Sequence, residues 1–389
     1  MGISTRSRQR ISLLICCFII LVKSKGSEAQ LVYKSVVESA SAEGAVCLDG
    51  SPPAYILDRG SDEGAQNWLV YVQGGGWCIN NTNYDTADDS VQSCTERATG
   101  ELGSSFLMKP MEFNKSVFGN ESRLSYFYNW NRVILKYCDG GSFLGDVDQP
   151  DPDTKLYYRG ARIFKALTRY LMENAGLKDA QNVLLAGGSA GGVGVMAHCD
   201  NFRSLFPDNV RVKCLADSSL FLRVNDPKRA EWFQGLFSNV VGLHKPEKAL
   251  PTECTSKMDT LSCFFPKNLV QYVKTPIFII NPAQDSFQVR HTFWEDLYLQ
   301  VKNNTVGPAD MALLKDFRQQ IISALPQQSD KNGYIITSRF GHSLGSGVGY
   351  KLSMFADPSS KSFETALVDW FFDRSPANFI DPREEPFYT

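Results

Sequence analysis

Short apolar runs alternate along this chain with longer amphipathic segments. Trp68-Leu69-Val70-Tyr71-Val72, Arg132-Val133-Ile134-Leu135-Lys136-Tyr137, Asn182-Val183-Leu184-Leu185-Ala186, Val212-Lys213-Cys214-Leu215-Ala216-Asp217, Pro276-Ile277-Phe278-Ile279-Ile280 and Tyr334-Ile335-Ile336-Thr337 are nearly continuous in apolar residues, with turn formers close by. Runs of this kind read as buried strands. From Tyr158 to Ala175 the apolar positions Ile163, Ala166, Leu167, Tyr170 and Leu171 share one helical face, with Gly176 as C-cap. Gly192 to Phe206, Asp310 to Ala324 and Phe363 to Phe372 also read as helices, the last closing the chain. Alternating strands and helices predict an α/β fold with a mostly parallel sheet and helices on both faces. Leu31 to Leu57 is mixed, broken at Pro52-Pro53. Ile79 to Tyr126 is polar and glycine-punctuated, and reads as long excursions stapled by cysteines rather than as core.

The N-terminus follows a different pattern. Arg6, Arg8 and Arg10 precede an apolar run from Ile11 to Val22, interrupted only by Ser12, and small or polar residues follow from Ser24 to Ala29. This is the layout of a signal peptide, and the run is too short to span a bilayer. Residues 1–27 are therefore read as a cleaved signal, with an uncleaved anchor as the alternative. No later stretch is long and apolar enough for a stable membrane span. The rest, 28–389, is read as a single domain, because no linker, repeat or biased tract divides it.

Ten cysteines are present, of which Cys16 and Cys17 lie in the signal. The others are Cys47, Cys78, Cys94, Cys138, Cys199, Cys214, Cys254 and Cys263, an even set that predicts disulfides in an exported chain. Pairing is open; only proximity suggests Cys78 with Cys94 and Cys254 with Cys263. No C-x-x-C pair speaks for zinc, so neither a metal nor another cofactor is expected. Sequons at Asn80, Asn114, Asn120 and Asn303 predict N-glycosylation at some of them. The net charge of −2 becomes about −7 when the five cations of the signal are removed. That leaves no basic footprint for nucleic acid and no overall attraction for a polyanion.

Gly187-Gly188-Ser189-Ala190-Gly191 is a G-x-S-x-G motif between a strand and a helix. There a serine is held in a strained, exposed turn, the geometry of a nucleophile elbow; ordinary glycine–serine loops share the bare pattern. A serine hydroxyl needs a base, usually a histidine oriented by a carboxylate. Of the four histidines, His198 lies too far along the elbow helix, His244 sits in a polar stretch with Lys245-Pro246, and His291 falls on a helix. His342, in a loop after the strand that ends at Thr337, is the candidate base. Asp285 and Asp217 both follow strands between Ser189 and His342; Asp285 is preferred, and Asp139 precedes the serine and fits the order worse. Gly74-Gly75-Gly76-Trp77 after a strand is a candidate oxyanion loop, with Ala190 after the serine as a further N–H donor.

Gly74-Gly75-Gly76-Trp77-Cys78, Asn129-Trp130-Asn131-Arg132-Val133, Tyr137-Cys138-Asp139-Gly140-Gly141-Ser142-Phe143, Ser189-Ala190-Gly191-Gly192, His198-Cys199-Asp200-Asn201-Phe202, Phe264-Phe265-Pro266 and Asn281-x-Ala283-x-Asp285-Ser286 stand along the chain. Together these stretches resemble the pectin acetylesterase family, which includes the Notum carboxylesterases of animals. The resemblance spans about residues 31 to 374 and is similar, at Tyr137-Cys138-Asp139-Gly140, to the pectin acetylesterase branch. It implies an α/β-hydrolase-like serine esterase without a metal, with nucleophile Ser189, acid Asp285, base His342 and oxyanion N–H groups from Gly76, Trp77 and Ala190. It implies secretion, to the cell wall if the source is a plant, and acetylated pectic polysaccharide as substrate.

The chain departs from the family around the base, where members carry cysteines on both sides. Here the stretch is Ser338-Arg339-Phe340-Gly341-His342-Ser343, which suggests a more mobile base loop or an Arg339 that meets an acidic substrate. Ser219 also replaces an expected glycine. A Notum-like deacylase of proteins and a catalytically silent polysaccharide-binding protein are the alternative functions.

Overall fold

The structure is a computed structural model, and it describes residues 31–80, 91–113, 125–326, 331–343 and 361–388. The signal segment and the sequons at Asn114 and Asn120 lie outside the described residues, whereas Asn80 and Asn303 are exposed.

Nine strands form the central sheet: β1 (Lys34–Val36), β2 (Ala54–Asp58), β3 (Asn67–Val72), β4 (Asn131–Leu135), β5 (Asn182–Gly188), β6 (Arg211–Asp217), β7 (Ile277–Pro282), β8 (Gly333–Thr337) and β9 (Asn378–Ile380). Their order is β9-β8-β7-β6-β5-β3-β4-β2-β1. Every pair from β9 through to β4 is parallel, and β1 and β2 add antiparallel pairs at one edge. Side chains alternate between the two faces along each strand. Val183 and Leu185 of β5, Ile277 and Ile279 of β7 and Val70 and Val72 of β3 enter one core cluster. Their neighbours Leu184, Ala186, Phe278, Ile280 and Leu69 enter another. Both faces are buried, which is why these strands are apolar throughout rather than alternating.

Helices α1 (Gly160–Asn174), α2 (Ala190–Arg203), α3 (Pro227–His244) and α5 (Pro308–Ser323) contribute buried side chains to the first cluster, as does Val289 of α4 (Ser286–Thr292). Helix α6 (Phe363–Phe371) and the Phe127 and Trp130 rings cover the other face. The α1 stripe is as the period predicts: Ile163, Ala166, Leu167 and Leu171 are buried, and Gly176 takes φ +85° just past the helix end.

Three expectations are corrected. The chain does not close with a helix, because β9 follows α6 and pairs with β8; three residues carry too little pattern to announce an edge strand. Helix α3, eighteen residues long, was not anticipated, although Asp226 caps it by accepting from the Lys228 and Arg229 N–H groups and Pro227 opens it. The segment after Ile79 is not all excursion, since Val91, Cys94, Arg97, Met108 and Phe113 are buried. Disulfide Cys78–Cys94 draws part of it inward.

The other disulfides are Cys47–Cys138, Cys199–Cys214 and Cys254–Cys263. Cys47–Cys138 closes a separation of 91 residues. In the chain-entropy account such a link removes about 4–5 kcal/mol of conformational freedom from the unfolded state. Among the described residues no helix is long and apolar enough to cross a membrane.

Candidate active site

The turn from β5 into α2 places Ser189 at φ +54°, a left-handed conformation that costs a residue with a β-carbon of order 1–3 kcal/mol. Its N–H donates to the Asp217 carbonyl at 2.9 Å, so the neighbouring strand β6 holds the turn. Glycine is needed where the backbones meet. A Cβ at Gly191 would lie 2.2 Å from the Val72 carbonyl, and one at Gly74 would lie 2.3 Å from that of Gly188. The elbow and the Gly74–Trp77 loop are thus pressed together at the carboxyl ends of β3 and β5, the end of the sheet where ligands bind in this class.

Asp285 follows β7 and has two tasks. Its Oδ1 accepts from the Gln288 N–H at 3.0 Å, which caps α4, and its Oδ2 lies 2.8 Å from His342 Nδ1. A carboxylate only accepts, so Nδ1 carries the proton and Nε2 is left as the acceptor. The Asp285 side chain is 3% exposed and that of His342 22%, so the carboxylate is sheltered and the imidazole reaches solvent. Phe221 and Phe287 lie beside the imidazole, with ring centroids at 6.1 and 5.4 Å. No motif marks them in the sequence.

The His342 loop is fastened without cysteines. Ser343 N–H donates to Ser218 Oγ at 2.9 Å, Ser286 N–H to the Gly341 carbonyl at 3.0 Å, and Phe340 N–H to the Phe387 carbonyl at 2.8 Å. Arg339 is only 9% exposed, with its guanidinium over the Phe387 ring at 5.3 Å, and Arg383 sits on the same ring at 4.0 Å. Burial, followed by the Arg383 charge, lowers the Arg339 pKa. Arg339 therefore packs against the C-terminal segment, and Phe340, Gly341 and Ser343 are held by hydrogen bonds at their backbone groups.

Asp217, the other candidate acid, accepts from the Ser218 hydroxyl at 2.8 Å, and its backbone carbonyl supports the elbow. Ser219 donates to the Asp217 carbonyl at 2.7 Å and lies 3.0 Å from that of Ser189, so its hydroxyl braces the same turn.

The remaining histidines are structural. His198 is buried, donates from Nε2 to the Phe143 carbonyl at 2.7 Å and stacks on Phe164 at 4.0 Å. His244 is the buried last residue of α3, not part of a polar loop, and its Nε2 donates to the Cys78 carbonyl at 3.2 Å. His291 stacks on Trp232 at 4.2 Å. His244 with Cys78 and Cys94 is the cluster of metal-ligand types among the described residues, but the two sulfurs are joined in a disulfide and offer no thiolate.

Burial lowers the pKa of both His198 and His244 from 6.5 to about 4. A base with a depressed folded pKa contributes stability that is complete above its unfolded value and lost as pH falls toward the folded one. Each histidine is worth roughly 3 kcal/mol on this reasoning. Asp139 opposes them: burial raises its pKa from 3.8 to about 6, so its contribution is present at low pH and lost as pH rises through 6. Two groups outweigh one. Calorimetry between pH 6.5 and 4 is expected to show a falling melting temperature; a rise on acidification would show that these rings are not buried as neutral groups.

The sequence profile of the pectinacetylesterase family matches residues 25–387. Pectin acetylesterase 11 of Arabidopsis thaliana is 36% identical over 91% of this chain and 90% of its own length. Pectin acetylesterase 7 of the same plant is 38% identical over 89% and 88%. The mouse palmitoleoyl-protein carboxylesterase NOTUM is 26% identical over 62% of this chain and 48% of its own. The structure of the Wnt deacylase Notum from Drosophila has the same fold, with a TM-score of 0.74 and 22% identity, covering 92% of this chain and 98% of that one. With a profile match over nearly the whole length and relatives above 30% identity across about nine-tenths of it, the chain belongs to the pectinacetylesterase family.

Proposed function

We propose that this protein is a secreted serine carboxylesterase that removes O-acetyl groups from pectin, acting on acetylated galacturonan through an acetyl-enzyme on Ser189. The observation that carries the reading is the contact between His342 and Asp285, on a loop that also bonds to Ser218, next to the Asp217 carbonyl that holds the Ser189 N–H, in a chain of this family.

Ser189 Oγ attacks the acetyl carbonyl carbon while His342 Nε2 takes the hydroxyl proton, and Asp285 holds Nδ1–H and balances the imidazolium charge. The N–H groups of Gly76, Trp77 and Ala190 receive the negative charge that forms on the carbonyl oxygen. Collapse breaks the bond to the sugar oxygen, which leaves with the proton from His342. A water molecule, deprotonated by His342, then releases acetate from Ser189. Export agrees with the signal-like N-terminus, the four disulfides and the exposed sequons at Asn80 and Asn303.

Trp77 meets Phe221 and Phe237 edge to face at 5.2 and 5.1 Å, and Phe233 packs on both phenylalanines, so the wall beside the Gly74–Trp77 loop is aromatic. Acetate release from acetylated pectin, measured beside hydrolysis of two- to ten-carbon acyl esters, tests the proposal. We expect release from pectin, and kcat/KM at least about 10-fold higher for acetyl than for the longest chain. A preference for long chains without release from pectin would move the assignment to Notum-like deacylation. No hydrolysis of any ester would favour the silent polysaccharide-binding protein.

A further inference from the structure

Three carbonyls of the segment that follows β3 are each held by a buried side chain from a different part of the chain. Arg97 donates from Nη2 to the Gly75 carbonyl. Tyr137 donates its hydroxyl to the Gly76 carbonyl at 2.8 Å, and the same oxygen accepts from the Ser142 N–H at 2.9 Å. His244 Nε2 donates to the Cys78 carbonyl at 3.2 Å. Arg97 ends the short helix Cys94–Arg97, whose first residue is disulfide-bonded to Cys78, so the helix that brings the guanidinium is anchored to the loop it grips. Arg97 and Tyr137 also pack together, with the guanidinium 5.2 Å from the ring centroid.

A peptide unit is planar and, when trans, its N–H points opposite to its C=O. No peptide bond in the described chain is cis. The Gly75 carbonyl shares its plane with the Gly76 N–H, and the Gly76 carbonyl shares its plane with the Trp77 N–H. Holding each carbonyl therefore sets the direction of the next N–H. Left alone, this stretch would not keep one orientation, because Gly75 and Gly76 sit at φ +146° and +64°, where glycine moves readily between states. Hydrogen bonds to a carbonyl also polarise its peptide and strengthen the N–H on the far side as a donor.

We infer that Arg97 and Tyr137 are positioning residues that aim the Gly76 and Trp77 N–H groups at the transition-state oxyanion. The inference rests on the function proposed above. A purely space-filling role does not explain the choice of residues: burial penalises the Arg97 charge and lowers its pKa, and a leucine or phenylalanine would fill the volume without that cost.

The test compares wild type with Tyr137→Phe, Arg97→Met and Arg97→Lys on a simple acetyl ester. It also measures inhibition by an alkylboronic acid, which forms a tetrahedral adduct on serine, and the melting temperature of each protein. Preorganised donors act on the transition state, so the loss should fall on kcat. Tyr137→Phe and Arg97→Met are expected to lower kcat about 10- to 100-fold with KM within about 3-fold of wild type, and boronate affinity should weaken by a similar factor. Arg97→Lys keeps a donor and should recover part of the loss. A folded Tyr137→Phe enzyme with wild-type kcat overturns the inference, even if the Arg97 variants fail to fold. So does a fall shared equally by substrate and boronate binding, which is general loosening. A wild-type protein that hydrolyses no ester removes the functional reading, and the inference with it; wild-type activity with unaffected variants removes the inference alone.

Discussion

Ser189→Ala is expected to lower kcat on a simple acetyl ester by about 10⁵- to 10⁶-fold while the protein stays folded. The size follows from the unit in which Ser189 would act: without the hydroxyl no acetyl-enzyme forms, and the base has nothing to activate. What remains is the contribution of oriented N–H donors and of binding to a reaction with water. Folding should be spared for a local reason. The Ser189 side chain makes no capping hydrogen bond to α2, and its N–H to Asp217 bond belongs to the backbone, which alanine keeps. Alanine carries the same β-carbon into the same φ of +54°, so the strain is unchanged. Acetate release and melting temperature, measured side by side, check both halves. Residual activity above about one per cent would place the nucleophile elsewhere.

Asp285→Asn should be the next largest loss, about 10⁴-fold in kcat. Asparagine can still accept from the Gln288 N–H and cap α4, so the loop keeps its shape. The chemistry suffers because an amide NH₂ facing Nδ1 favours the tautomer with the proton on Nε2, where it cannot take one from serine, and no negative charge remains to balance the imidazolium. Asp217→Asn is the matched control. The Asp217 carboxylate accepts from the Ser218 hydroxyl, which in turn receives the Ser343 N–H, so this path from Asp217 to the His342 loop runs through two hydrogen bonds. Less than about 10-fold is expected there. Steady-state kinetics of the two variants decide the assignment; if Asp217→Asn proves the more damaging, Asp217 is the acid.

Much of the fold was legible because both faces of the sheet are buried. Apolar runs such as Leu184–Ala186 and Ile277–Ile280 have no other stable place than a covered sheet, and the helical period of Ile163 to Leu171 has one face to bury. The elbow was legible because its requirements are local: a strand, a close approach that excludes side chains at Gly191, and a helix start at Ala190. Edges were not legible. Strand β9 has three residues, and α3 carries aromatic and aliphatic side chains on several sides because it is packed against α4, the short helix Thr260–Phe264 and the strand Trp77–Ile79 that follows the glycine loop.

By itself the sequence determined the order of the central strands and of most of the long helices, the position of Ser189 between one of each, and a short set of acids and histidines beyond strand ends. These depend on neighbours within a few residues, where spacing is a physical constraint. Only the tertiary structure decided which acid meets His342, since Asp217 and Asp285 both follow strands, and sheet register together with the turn after β7 brings one of them to 2.8 Å. Only it showed that Ser343 bonds to Ser218 and Arg339 packs on Phe387 beside His342, and that Arg97 and Tyr137 grip consecutive carbonyls of the glycine loop. Those contacts join residues tens of positions apart in the chain, and such separations leave no period, cap or motif for a sequence to display.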